Sequence, residues 1–178
     1  EIADHIDRSG NRLLGTLNSI IDLSLIEANK NEIDKQPVDI CSLVEQKADI
    51  YKKYASSKNL DLHIHINEHP IMSRTDQRLI GHVISNLLDN AIKYTESGNV
   101  AVSCKQISTG KRFWAMISVK DSGIGIDKSD FAKIFERFRQ SSEGQNRAYE
   151  GMGLGLSICK HFVELLDGEI WLESEIGG

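Results

Sequence analysis

One predicted helix, Asp76 to Thr95, carries two stripes at once. Ile80, Ile84, Leu87, Leu88 and Ala91 recur at three- and four-residue intervals and form a side that must be buried, with Asp76 placed as its N-cap. Asn86, Asn90 and Lys93 share another side, because residues three and four apart lie one above the other on a helix. A solvated face would normally use Glu and Lys; asparagine is a poor mid-helix residue. The helix is therefore read as bordering a core with one stripe and a ligand with the other.

Three further blocks follow in order and suit the same ligand. Asp121-Ser122-Gly123-Ile124-Gly125 sets a carboxylate, able to accept from an adenine amino group, beside glycines that let the chain turn tightly. Phe135-Glu136-Arg137-Phe138 comes next. Gly151-Met152-Gly153-Leu154-Gly155-Leu156 then leads into an apolar helix whose first N–H groups favour phosphate oxygens. The carboxamide oxygens of Asn86 and Asn90 are hard neutral ligands for a magnesium ion that bridges phosphates, and Lys93 adds positive charge. Together the blocks describe a nucleotide site. Rival motifs fail: the Rossmann spacing needs a glycine where Leu156 stands, no Gly-x-x-x-x-Gly-Lys-[Ser/Thr] occurs, and an EF-hand from Asp121 would need a glutamate where Ala132 stands.

The rest of the chain reads as α+β. With 178 residues, 40% hydrophobic, 26% charged and two prolines, it suits one folded domain with an appendage. Residues 1 to about 30 form a helix whose apolar residues Ile6, Leu13, Leu17, Ile20, Ile21 and Leu25 need a partner, so a helical bundle is expected, and a chain opening mid-helix suggests a fragment. Val44 to Ala55 reads as a helix, Leu60 to Ile66 as a strand, and Val100 to Ile107 with Phe113 to Val119 as a hairpin. Residues 129–138 read as a short helix, 154–167 as another, and Glu169 to Glu173 as a last strand. The expected architecture has its helices on one face of a single sheet.

Composition excludes other classes. A formal charge of −5 with scattered Lys and Arg gives no field for nucleic acid. Cys41, Cys104 and Cys159 show no Cys-x-x-Cys spacing and read as packed reduced thiols, not a zinc site or a disulfide framework. His63 and His65 read as a solvated strand face and His69 as a loop residue. No apolar run is long enough to cross a bilayer, so the segment is cytoplasmic in character, with any membrane attachment outside it.

On these four blocks the chain resembles the ATP-binding catalytic domain of the sensor histidine kinases of two-component signalling, within the gyrase/heat-shock chaperone/histidine kinase ATPase superfamily. Asn86 to Tyr94 resembles the N box, Asp121 to Gly125 the first glycine box, Phe131 to Phe138 the F box, and Gly151 to Leu156 the second glycine box. The resemblance implies a two-layer α/β sandwich over residues 36–178, with a mixed, mostly antiparallel sheet and a lid over 137–152. It implies that Asn90 and Asn86 bind Mg2+, that Lys93 contacts phosphate, that Tyr94 packs near the nucleotide and that Asp121 reads adenine. Gly123, Gly125, Ile126, Arg139, Gly151, Gly153, Leu154, Gly155 and Leu156 would complete the ATP site. Residues 1–30, ending in Leu23-Ser24-Leu25-Ile26-Glu27, resemble the second helix of the dimerisation and phosphotransfer hairpin, which implies a homodimer through a four-helix bundle and a response regulator as partner.

The chain departs from the family pattern in places. His5 is followed by Ile6-Asp7-Arg8-Ser9-Gly10 without a proline and is read as a bundle residue, so the phosphoacceptor histidine is expected outside the chain. Gln140 stands where many members carry an arginine near the γ-phosphate, leaving Arg137 or Arg139 to substitute. Hydrolases of the superfamily place a glutamate one turn before the magnesium asparagine; here that residue is Asn86, and an amide is no general base. Protein-histidine kinase activity is thus the leading expectation. A gyrase-type ATPase and a degenerate kinase serving as a dimeric scaffold are the alternatives.

Overall fold

Two aspartates start the two long helices. In the computed structural model, which describes residues 33–136 and 154–175, Asp39 accepts the Cys41 N–H at the head of α1 (Ile40–Ser57). Asp76 accepts the N–H groups of Arg78 and Leu79 at the head of α2 (Gln77–Tyr94), the cap its sequence position predicts. Orphan donors of both first turns are thereby satisfied. Asn59, at φ 57, turns the chain out of α1 in the left-handed region that asparagine tolerates.

Five strands accompany the helices. β2 (Asp61–Ile66), β4 (Asn99–Thr109) and β5 (Arg112–Asp121) form one sheet in the order β2-β4-β5, parallel between the first two and antiparallel in the hairpin. The hairpin turns at Gly110, at φ 65, and Lys111. Cross-strand register aligns Ile64 with Val102 and Val119, and Ile66 with Cys104 and Ile117. These rows make one apolar face, which packs with Val44, Ile84 and Leu88 of the helices. The other face carries His63 and His65, both exposed, with stacked rings 6.1 Å apart. The α+β class and the helix-covered sheet face are as expected.

α2 is the central element. Ile84 and Leu88 join the core against the sheet, Ala91 and Ile92 a second cluster with Leu60 and Val100, and Leu79 and Val83 a third with Ile158 and Phe162 of α3 (Gly155–Leu165). Burying Phe162 completely contributes roughly 2–3 kcal/mol to holding α3 on α2. A helix gripped by three clusters presents its remaining stripe in a fixed direction.

Three elements differ from expectation. A second, two-stranded antiparallel sheet pairs β1 (Gln36–Asp39) with β3 (Met72–Thr75). Within 129–136 the chain makes two 3₁₀ turns, Lys128–Asp130 and Lys133–Phe135, closed by the Glu136 N–H on Lys133 O and the Asp130 N–H on Asp127 O. Asp127 caps the first, and of the two turns Ile134 alone is buried, too narrow a stripe to extend an α-helix. Glu169 to Glu173 shows alternating burial but pairs with no strand among the described residues. The helix expected over residues 1–30 lies outside the described residues.

Candidate nucleotide site

The polar stripe of α2 faces the start of α3. A β-carbon built on Gly155 would lie 2.9 Å from Asn86 Oδ1 and 3.8 Å from Asn90 Nδ2. The fourth block therefore meets the first through a residue without a side chain, which lets the two backbones approach closely beside both amides. Leu154, buried, precedes α3 in an α-helical conformation and supplies no side-chain cap. Leu156 is half-buried on the first turn of α3.

The second block closes onto the last residue of α2. Register places Asp121 opposite Val100, so its side chain continues the helix-facing rows of the sheet to their end. Asp121 Oδ1 accepts the Gly123 N–H at 2.9 Å, and the Ile124 N–H reaches Tyr94 O at 3.4 Å. A β-carbon at Gly123 would stand 2.5 Å from Tyr94 O and 2.7 Å from Asp121 Oδ1, so only glycine allows this approach. Gly125 has φ 71, and the Ile126 N–H is tied to Ser174 Oγ at 2.9 Å. Both glycine-bearing blocks thus border the C-terminal half of α2, with Asp121 at one end and Asn86 and Asn90 at the other.

Charge is distributed unevenly along that border. The Lys93 ammonium lies 5.2 Å from the centroid of the Tyr94 ring. Asp89 lies on α2 between Asn86 and Lys93 in helical spacing; desolvation pushes its carboxyl above the ordinary value, opposed by the Lys93 and Lys58 charges. Desolvation, with Asp89 adding to it, also pushes the phenols of Tyr51, Tyr54 and Tyr94 up. Lys58 donates to Ile92 O at 3.0 Å and so occupies a carbonyl near the end of α2.

Two contributors escaped the sequence reading. Ser122 Oγ accepts the Asn99 N–H at 3.0 Å, and the Ser122 N–H returns to Asn99 O, clamping the turn after α2 to the Asp121 loop. Its signal, a hydroxyl between the aspartate and the first glycine, was in view but reads equally as a loop residue. Asp89, four residues before Lys93, carries the i,i+4 spacing of an ion pair and restrains the lysine electrostatically. Arg137, Arg139, Gln140, Gly151 and Gly153, with the lid expected over 137–152, lie outside the described residues.

Similarity to known proteins agrees with this geometry. Residues 75–178 match the family of histidine kinase-, DNA gyrase B- and HSP90-like ATPases. The chain is 38% identical over 177 residues to the autoinducer 2 sensor kinase/phosphatase LuxQ of Vibrio vulnificus, covering 97% of the chain and 20% of that protein. It is 37% identical over 179 residues to hybrid signal transduction histidine kinase B of Dictyostelium discoideum, covering 99% of the chain and 9% of that protein. Among solved structures, full-length ShkA in complex with AMPPNP superposes with a TM-score of 0.78 at 28% identity, over 96% of this chain and 34% of that one. The chain spans a fifth or less of these curated relatives. It belongs to the histidine kinase-, gyrase B- and HSP90-like ATPases and is an ATP-binding domain of the histidine-kinase type.

Proposed function

We propose that the chain is the catalytic segment of a two-component protein-histidine kinase, which binds Mg-ATP and passes the γ-phosphoryl group to a histidine outside these residues. The observation that carries this reading is the placing of Gly155 against Asn86 and Asn90. It brings the two carboxamides of α2 beside the first turn of α3, where Leu154 supplies no side-chain cap: amide oxygens suit a metal, and helix N-terminal N–H groups suit phosphate oxygens. Asn90 and Asn86 would hold magnesium, which when bound neutralises phosphate charge. Lys93 supplies a further cation to the phosphates, while Asp121, held by the Gly123 N–H, turns its other oxygen to the adenine amino group. Gly123, Gly125 and Ile126 line the base, and Gly151, Gly153, Leu154, Gly155, Leu156 and Arg139 complete the site.

The reaction is mainly positioning. An imidazole nitrogen attacks the γ-phosphorus, an N–P bond forms, the bond to the bridging oxygen breaks and ADP leaves. With Asn86 in the place of a glutamate, no side chain at that position activates water. Relay from the phosphohistidine to a response-regulator aspartate, and dimerisation through residues 1–30, belong to the same proposal.

The test is transfer of radiolabelled γ-phosphate from ATP to a separately supplied hairpin that carries the acceptor histidine. Acid-labile, alkali-stable label on the hairpin is expected. ATP binding without transfer rejects the kinase reading, absence of magnesium-dependent ATP binding favours a degenerate scaffold, and steady release of inorganic phosphate favours a gyrase-type ATPase.

A further inference from the structure

We propose that Asp39, Cys41 and His69 form a second metal site, separate in its residues from the nucleotide site and suited to a thiophilic divalent cation such as Zn2+. One ligand atom from each lies within 4.8 Å of the other two. The three come from the end of β1, the head of α1 and the segment before β3, so the cluster is made by the fold and has no signature in linear spacing. Thiol, imidazole and carboxylate together select zinc over magnesium or calcium, which take oxygen. A tetrahedral zinc ion separates its ligand atoms by roughly 3.3–3.8 Å, so closure by about 1 Å is needed. His69 is the exposed member and can supply it by side-chain rotation.

The surroundings of each ligand favour the bound form. Asp39 Oδ1 accepts the Cys41 and Ile71 N–H groups and its Oδ2 accepts the Ser42 hydroxyl, so the carboxylate is held in one orientation. His69 Nε2 lies 3.3 Å from Glu45 Oε1, the carboxylate contact that metal-bound imidazoles commonly make. A metal on the other ring nitrogen would leave that contact intact. Cys41 is fully buried and donates its S–H to Glu68 O at 3.1 Å. On metal binding Cys41 forms the S–metal bond and releases its proton to solvent, so affinity rises with pH. A cation there would tie the head of α1 to the segment that enters β3 and, through it, α2.

Titrating the whole chain with Co2+ in the absence of ATP tests the site. One equivalent is expected to give a thiolate-to-cobalt charge-transfer band that Zn2+ abolishes and excess Mg2+ does not. Cys41→Ser should remove the band, and Glu45→Gln should weaken Co2+ binding about 10-fold. His69→Ala, on an exposed side chain, should weaken it at least as much and serves as the decisive variant if Cys41→Ser does not fold. His63→Ala, on the exposed strand face, should change nothing. Absence of the band, its persistence in Cys41→Ser, unchanged affinity in His69→Ala, or loss in His63→Ala would each overturn the proposal.

Discussion

The N-termini of α2 and α3 are built in opposite ways. At α2, Asp76 is 1% exposed and accepts from the backbone of Asp34, Arg78 and Leu79 and from the Arg78 guanidinium at 2.9 Å. At α3, Leu154 supplies no side-chain cap, and the residue packed against the asparagines is a glycine. One end is held by side-chain hydrogen bonds; the other is the end where the proposed reading seats a ligand. The contrast sets an anchoring head of α2 against a C-terminal half proposed to meet nucleotide.

The largest expected effect breaks the proposed ligand end. Asn90→Ala removes an amide oxygen from the polar stripe proposed to meet the ligand while placing a better helix former in α2. Phosphotransfer should fall by ~100-fold or more, with the melting temperature unchanged or slightly raised. A parallel loss of stability would mean that Asn90 serves the fold and that the two helix ends do not differ in purpose.

Asp76→Ala should do the reverse. Losing the cap costs about 2 kcal/mol, measured by denaturant unfolding, and nucleotide affinity of the folded fraction should hold. Desolvation raises the Asp76 carboxyl, but the Arg78 guanidinium and the three backbone N–H groups outweigh it, and the pKa lies below the ordinary 3.8. For a carboxyl lowered in the folded state, its stabilisation is complete above the unfolded value and is lost as pH falls through the folded one. The stability gap between parent and variant should therefore be full at neutral pH and close below about pH 4.

What could be read in advance follows the same division. The head of α2, its apolar stripe and the β4–β5 hairpin rest on local signals, a capping residue, a helical period and strict alternation, and the structure places them where these predict. The β1–β3 sheet was missed because each strand has four residues, β1 holds one buried apolar side chain, Val38, and pairing joins segments far apart in sequence. Asn86, Asn90 and Asp121 stand out in the sequence as candidates because carboxamides and an acid in those settings contradict ordinary propensity, and the structure sets Gly155 against the first two and Gly123 against the third. Ser122 and Asp89 do not, since polar residues there satisfy every local rule. Convergence of Asp39, Cys41 and His69 is likewise a product of tertiary contact, invisible to spacing.

Asp121→Asn sharpens the comparison at the base-reading end. Asparagine keeps a carbonyl oxygen for the Gly123 N–H, so the loop on Tyr94 should persist. What changes is the charge and acceptor capacity offered to adenine; a hydrogen bond to a charged group contributes roughly 1.5–3 kcal/mol, and ATP affinity should fall about 10-fold or more. Titration with a fluorescent ATP analogue measures it, and undiminished affinity would remove Asp121 from the site.

The smallest effect lies with Asp89, three residues after Asn86 and four before Lys93 on α2, where its charge is felt by Tyr51 and Tyr54 of α1. Its carboxyl is raised, first by desolvation, so the folded state holds this proton more tightly than the unfolded chain. Stability linked to it is present below the ordinary 3.8 and declines as pH rises through the folded value. Asp89→Asn should therefore match the parent at acidic pH and exceed it at neutral pH, by no more than about 0.5 kcal/mol for so exposed a group. The substitution also releases Lys93 from its i,i+4 partner, so ATP affinity should rise slightly at low ionic strength and converge with the parent in high salt. If affinity falls instead, the carboxylate aims Lys93 at the phosphates rather than competing for it, and Asp89 belongs with Asn86 and Lys93 in the site.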